Sequence, residues 1–378
     1  MSSFIRRVSI VLALIALVTG LSAAAKKTAA PSAYQKKDVT PKETTIAPYQ
    51  PGHGMMEGEM RTEYNAPGRL DLDQGWNVWV KGSFVYWQAL EGNLDVARSQ
   101  ILSTAGYPRH QKYYEMDFDF KPGFKISAGS SFGKGYDAWD LRARYTWLHL
   151  QDTVAYSISE YVLIPFFWDR SVPDTVSRIT AQWNLDVDLL DLELGRSFYA
   201  GTKLIMRPFV GLKGGWIDQN FKEDLTANYP VIGNYNPHYI GKADTWKIGG
   251  RTGMDFSWFF RQHFCLLANV NGSLLYSHYR VSYSNYSYSL VDTYYTLSGQ
   301  DNGAIVQPVF ETSLGLNWGA YFYQNRLHYD FSALYEFQTF LREKQFMVDQ
   351  VTSGSGIDHH NQSNLYLHGV TFNACLDF

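Results

Sequence analysis

From Trp76 to Phe378, apolar and polar residues alternate in one segment after another. A period of two is the side-chain repeat of a β-strand with one face against an apolar phase and the other against a wet one. The clearest segment sets Leu327, Tyr329, Phe331, Ala333, Tyr335 and Phe337 against His328, Asp330, Ser332, Glu336 and Gln338. The chain then ends on the same pattern, with Val370, Phe372, Ala374, Leu376 and Phe378 on one face. A strand that closes on an aromatic carboxyl terminus is expected to be the last strand of a bacterial outer-membrane barrel, with Phe372, Leu376 and Phe378 as its barrel-assembly signal.

Eight further segments obey the rule. Val78, Val80, Phe84 and Tyr86 oppose Asn77, Lys81 and Ser83, and Phe118, Phe120, Phe124 and Ile126 oppose Asp117, Asp119, Lys121 and Lys125. Leu141, Ala143, Tyr145 and Trp147 oppose Asp140, Arg142 and Arg144. Trp183, Leu185 and Val187 oppose Asn184, Asp186 and Asp188, after which the apolar phase passes to Leu190, Leu192 and Leu194, a slip that predicts a β-bulge near Leu189. Met206 to Trp216 sets Val210 and Leu212 against Arg207 and Lys213, and Trp246 to Trp258 sets Ile248, Met254 and Phe256 against Lys247, Arg251 and Asp255. Phe264 to Tyr276 sets Leu266, Val270 and Leu274 against Asn269, Asn271 and Ser273. Phe310 to Phe322 sets Leu314, Leu316 and Trp318 against Glu311, Ser313 and Asn317.

The connections alternate in length as well. Those around Ser131–Ala138, Arg196–Lys203, Phe259–His263 and Tyr321–Arg326 are short, and those around Ala89–Tyr113, Gln151–Thr180, Asp218–Thr245, Arg280–Gln307 and Leu341–Asn364 are long. Short periplasmic turns and long extracellular loops are the habit of outer-membrane barrels, and an even strand number leaves both termini in the periplasm. The expected fold is therefore all-β: a transmembrane, antiparallel, up-and-down β-barrel of about ten strands spanning residues 70–378.

The other end of the chain agrees. Arg6 and Arg7 precede an apolar run from Val8 to Val18 that is too short to cross a bilayer, and Ala23-Ala24-Ala25 supplies small residues for cleavage, so residues 1–25 read as a signal peptide. Residues 26–69, rich in Pro, Lys, Thr and Ala, read as a flexible periplasmic segment. His53, Met55, Met56 and Met60 within it are too sparse to argue a soft-metal site. The 27 Tyr, 23 Phe and 11 Trp exceed what polar strands need and fit the aromatic girdles of a barrel; the other outcome is a secreted soluble sandwich. A formal net charge of −3 argues against a nucleic-acid partner.

The order and spacing of several short motifs resemble a family. Phe84-Val85-Tyr86-Trp87-Gln88-Ala89 with Glu91-Gly92 and Leu94 begins the resemblance. Phe120-Lys121-Pro122-Gly123-Phe124-Lys125, Asp137-Ala138-Trp139-Asp140-Leu141 and Tyr145-Thr146-Trp147-Leu148 continue it, and Asp191-Leu192-Glu193-Leu194-Gly195-Arg196, Arg207-Pro208-Phe209, Gly211-Leu212 and Ile217-Asp218-Gln219 follow. Over roughly Trp76 to Phe378 the chain resembles the Legionella-type major outer membrane protein family, also expanded in Chlamydia-like bacteria. The resemblance implies an outer-membrane barrel and a pore, with no catalytic residues to carry over.

Charged residues in the polar phase are the candidate pore lining: Lys81, Lys121, Lys125, Arg142, Arg144, Asp186, Asp188, Arg207, Lys213, Lys247, Arg251, Asp255, Glu311, Asp330 and Glu336, joined by Asp117, Asp119 and Asp140. Either they tune a water-filled channel for small hydrophilic solutes or ions, or they pair with one another and fill the lumen. The second outcome makes the protein a closed structural surface protein or an adhesin. Because the signs balance, any pore is expected to be weakly ion-selective. His149 with Asp152, His328 with Asp330, and His359-His360 are the candidate catalytic groups, but no hydrolase motif holds them, and the expectation is no enzyme, no cofactor and no metal. Cys265 and Cys375 fall in the polar phase near the periplasmic rim on strands three apart; lumen-facing thiols and an intermolecular disulfide both stay open. Tyr283-Ser284-Asn285-Tyr286-Ser287-Tyr288-Ser289 suits either an adhesive surface or a loop that folds into the mouth. Expected partners are outer-membrane lipid, the secretion and barrel-assembly machinery, and the solutes themselves, with a homo-oligomer left open.

Overall fold

A computed structural model describes Gly68, Leu72 and residues 77–102, 108–132, 139–157, 162–167, 176–229, 233–261, 263–287, 295–352 and 355–378. The residues expected to form a signal peptide (1–25) and a flexible segment (26–69, Gly68 apart) lie outside the described residues. The chain begins with β1 (Val78–Glu91), β2 (Asp95–Leu102), β3 (Pro108–Glu115), β4 (Phe120–Phe132) and β5 (Trp139–Ser157). It continues through β6 (Val162–Pro165), β7 (Val176–Arg196), β8 (Phe198–Tyr199), β9 (Leu204–Tyr229) and β10 (Gly233–Tyr235). It ends with β11 (His238–Arg261), β12 (Phe264–Ser287), β13 (Tyr295–Phe322), β14 (Leu327–Thr352) and β15 (Ser355–Asp377).

Ten of these strands close into one antiparallel ring in the order β1-β4-β5-β7-β9-β11-β12-β13-β14-β15, and β15 pairs back onto β1. Closure runs from Trp79↔Asp377 to Glu91↔Leu365, and the backbones of Val78 and Phe378 exchange hydrogen bonds at its lower end. A closed ring satisfies every ladder group internally, which is what a lipid phase demands of a β-structure. The short connections between β4 and β5, β7 and β9, β11 and β12, and β13 and β14 share the rim that carries both strand termini, the periplasmic rim by the barrel rule.

At the opposite rim the structure revises the expectation of long loops. β9 and β11 stay paired as far as Asp224↔His238, β12 and β13 as far as Ser287↔Tyr295, and β14 and β15 as far as Thr352↔Ser355. Most of these three outer connections is thus strand that continues past the membrane. Segments rich in Tyr, Thr, Val and Ser favour the pleated state, and a continued ladder gives their backbone groups partners. β2, β3 and β6 form a small accessory sheet above β7.

Two faces separate cleanly. Outward side chains such as Val210, Leu212, Val270, Leu274, Val306, Phe310, Leu314 and Leu316 are exposed as single apolar groups and make a greasy belt. On β11 the belt is bounded by Trp246 and Trp258, 12 residues apart. That separation is about 40 Å along a strand and about 28 Å in height at a tilt of about 45°, close to the hydrocarbon thickness of a bilayer. Trp147, Trp216, Trp246 and His278 occupy successive register positions at the outer edge, with Asp188 between the first two. Trp258, Phe260, Phe264, Trp318, Tyr329 and Phe331 mark the inner edge in stacked and tilted pairs.

The predicted bulge near Leu189 is absent: β7 keeps one unbroken register with β5 and β9 from Arg178 to Gly195. Odd residues face inward along that whole length, from buried Trp183 and Leu185 to Asp191 and Glu193. The apolar character changes sides because β7 leaves the membrane halfway along. Within the bilayer the outer face is the apolar one; beyond it water lies outside and the apolar face turns in.

Candidate functional site

The lumen has two zones stacked along the barrel axis. The zone nearer the periplasm is charged, because β5, β7, β9, β11 and β13 each place at least one acid or base among their inward-facing residues.

Arg251 lies at the centre of it, fully buried, 3.1 Å from Asp191, 3.3 Å from Glu193 and 2.9 Å from Glu311. Lys213 joins two of the same acids, at 3.0 Å from Asp191 and 2.7 Å from Glu311. Arg207 grips Asp140 through Nε and Nη2, and its Nη1 lies 3.2 Å from Glu193 and 3.0 Å from Asp255. Arg142 spans Asp140 at 3.0 Å and Asp255 at 3.2 Å, and Arg144 approaches Asp191 and Glu193 at 3.8 and 3.7 Å. Five cations (Arg142, Arg144, Arg207, Lys213, Arg251) thus meet five anions (Asp140, Asp191, Glu193, Asp255, Glu311) in one network. Several contacts cross the lumen: Lys213 with Glu311 and Arg142 with Asp255 each join strands three apart in the ring. Burying charge without a partner is severely unfavourable, and here each ion has two or more partners, so the balance of signs is a condition of closure.

Other candidates form separate pairs. Lys125 bonds Glu336 at 2.6 Å beneath the Trp87 ring, which its ammonium faces at 4.2 Å. Lys247 bonds Glu343 and also donates to Gln307 at 3.1 Å. Lys121 reaches Asp152 at 3.0 Å and Asp119 at 3.3 Å near the outer end. Asp330 contacts His328 at the periplasmic rim, and Lys81 lies over the Trp79 ring at 5.4 Å.

Asp186 and Asp188 do not belong in this group. Their register partners His149, Trp147 and Trp216 place them on the outer face, where Tyr145 donates to Asp188 at 2.5 Å and His149 lies 3.4 Å from each acid. Alternation alone places them in the lumen only if the apolar face of β7 meets lipid throughout, and its upper half does not. His149 and Asp152 sit three residues apart on one strand and so point to opposite faces. The side chains of His359 and His360 lie outside the described residues. Cys265 and Cys375 are free, buried and inward-facing on strands three apart.

Sequence reasoning missed Asp191 and Glu193 as network members, and Glu343 and Gln307 as the partners of Lys247. The first two were legible, since they alternate with Leu190, Leu192 and Leu194. Glu343 was hidden because its segment reads as a loop rather than as the upper part of β14.

Above the charges the lumen is closed by apolar side chains. Trp87, Trp183, Phe221, Tyr239, Phe340 and Phe346 point inward from five strands and are almost completely buried. Phe167, from the connection between β6 and β7, folds into the mouth and meets Phe221 at 4.5 Å and Tyr239 at 5.3 Å between ring centres. Gly369 makes room for Trp87: a Cβ there, on a backbone with φ of 152°, would lie 2.9 Å from the indole. Trp183 donates to Gln219 at 3.2 Å, and Gln219 donates in turn to Glu91 at 3.2 Å, a polar tie from β9 to β1 across the mouth. The network is itself wetter at some members, and so is the wall at Asp330: the side chains of Arg142, Arg144, Asp255 and Asp330 keep 28%, 31%, 25% and 24% of their surface.

Among solved structures, the chain is similar to the outer membrane protease OmpT from Escherichia coli, at 11% identity and a TM-score of 0.35, over 82% of this chain and 98% of that one. It is also similar to a Pseudomonas aeruginosa FadL homologue, at 8% identity and a TM-score of 0.27, over 80% and 89% of the two chains. The toluene transporter TodX from P. putida matches at 12% identity and a TM-score of 0.28, over 81% and 91%. No curated protein matches the sequence. The family model described as the Legionella pneumophila major outer membrane protein precursor matches residues 71–378, and the chain belongs to that family of the bacterial outer membrane.

Proposed function

We propose that the barrel is a channel for small hydrophilic solutes or ions, shut in the conformation described above. The observation that carries this reading is the depth of its polar wall. From Lys81 and Asp330 at the periplasmic mouth to Lys213, Arg251 and Glu311, the inward side chains are largely charged, amide or hydroxyl-bearing, and the lower ones are partly open to solvent. A hydrated solute in such a funnel keeps polar partners until it meets the network. Opening then requires two displacements: separation of the cross-lumen ion pairs and withdrawal of the aromatic plug.

Conductance of the purified protein in planar bilayers tests the proposal. Rare or small current steps are expected from the wild-type chain. More frequent steps are expected from the double variant Trp183→Ala, Phe221→Ala, whose assembly is checked by heat-modifiable gel mobility. Silence from both proteins removes the channel.

A second reading is supported by the plug itself. Six large rings closing the mouth suit a barrel that acts as a structural surface protein or adhesin, and that protein would remain silent in both forms. Neither reading includes a catalytic step. Under both, Phe372 and Leu376 present apolar side chains outward on the closing strand, and Phe378 completes its ladder, as a signal read by the barrel-assembly machinery would.

A further inference from the structure

At the periplasmic rim, β14 and β15 bring four residues of metal-ligating types onto one patch of the inner wall. His328 pairs with Asp377 in the register and Asp330 pairs with Cys375, and all four side chains face inward. Three of them converge. The Nδ1 of His328 lies 3.1 Å from Oδ2 of Asp377 and 3.3 Å from Oδ2 of Asp330. One atom from each of the three residues falls within 4.8 Å of the others.

A hydrogen-bonded ion triad accounts for this only in part, because Nδ1 carries a single hydrogen and two carboxylates are aimed at it. The spacing suits a shared cation better. Zinc–nitrogen and zinc–oxygen bonds of about 2.0–2.2 Å place neighbouring donors about 2.9 Å apart at octahedral angles and about 3.4 Å apart at tetrahedral ones. Neutral His328 with two carboxylates carries a charge of −2, which a divalent ion cancels.

Two features around the cluster point the same way. Asn317 on β13 donates to the other oxygen of Asp330 at 2.9 Å, which orients that carboxylate and leaves Oδ2 for the centre. Gly319, the register partner of Asp330, holds the space beside the cluster open: a Cβ there would lie 2.5 Å from Oδ1 of Asp330 and 3.0 Å from Nε2 of His328.

We propose that His328, Asp330 and Asp377 form a binding site for one divalent ion of the zinc class, which clamps β14 to β15 at the periplasmic mouth. The role is structural and independent of whether the lumen conducts. Binding replaces any proton on the imidazole Nδ1, which passes to solvent, and leaves every other covalent bond of the chain intact.

The test uses the full chain folded in detergent, titrated with ZnCl2 by calorimetry after chelator treatment, and His328→Ala and Asp377→Asn beside it. One zinc is expected to bind with micromolar or better affinity. Each variant is expected to weaken that binding at least tenfold, and zinc is expected to raise the unfolding temperature of the wild type alone. Asp377→Asn nearly preserves shape, so it serves if His328→Ala fails to fold. Cobalt gives a second readout through a visible d–d band that Asp377→Asn abolishes. Absence of zinc binding, or equal binding by wild type and variants (the other histidines then being the ligands), overturns the proposal.

Discussion

Glu223 shows how one residue carries the difference between the two zones. It faces inward on β9, seven positions beyond the girdle residue Trp216 and therefore outside the membrane, with Ala181 and Tyr239 as register partners. It is fully buried and neither carboxylate oxygen meets a donor. Burial, with the charge of Asp224 behind it, pushes its carboxyl well above the ordinary carboxylate range. A carboxyl raised in the folded state favours folding fully only below its unfolded value of about 4.3, and that contribution fades as pH climbs towards the folded value. Glu223→Gln removes the ionisation and keeps the shape. It should stabilise the protein by about 1–3 kcal/mol at pH 8 and scarcely at all at pH 4. Thermal unfolding in detergent at both pH values checks this; an equal gain at both would mean that ionisation is not the cause.

Individual strands show what alternation can and cannot reveal. For β14 and β15 it revealed nearly everything, since their lower halves lie in the bilayer, where Phe331, Tyr335, Phe337, Phe372 and Leu376 turn to lipid. For β7 it revealed two faces and misassigned one. A period of two separates Trp183 from Asp188, but only the position of the membrane decides which of them points outward, and that position is a property of the assembled barrel. The length of the strands was hidden for a related reason: above the girdles both faces carry Tyr, Ser and Asn, so the pattern fades while the ladder continues. The network lies where the pattern is sharp, and it makes a prediction about β11. Arg251→Met leaves Asp191, Glu193 and Glu311 short of a buried cation and should cost about 3–5 kcal/mol. A midpoint of denaturant unfolding within experimental error of wild type would show that Arg251 is not a structural centre.

For the whole molecule, closure of the ring and the balance of opposite charges in the central network are linked. The last strand pairs with the first, so no ladder edge remains open, and a narrow interior must accommodate every inward side chain. In the central network five acids meet five bases. If ions pass, that equality predicts weak discrimination, and changing it should move the selectivity in a known direction. The double variant Arg142→Gln, Arg144→Gln leaves Asp140, Asp191, Glu193 and Asp255 in excess, and the reversal potential in a salt gradient should shift towards cation preference. An unchanged potential would mean that permeant ions do not meet these two side chains.

The strands that climb past the outer girdle also bear on how this protein can change over evolution. A residue inside a continuous ladder is held by its neighbours on both sides, so added residues there shift the register and reverse every side chain beyond them. Residues added at 230–232, 288–294 or 353–354, between the paired strand ends, leave every described register pair in place. A short epitope inserted between Ser353 and Gly354 should be displayed on intact cells with normal amounts of folded barrel, and the same epitope between Lys242 and Ala243 should abolish folding. Variation visible to a host or a phage would then be written at the crown, as substitutions along the wall and length changes at its tips.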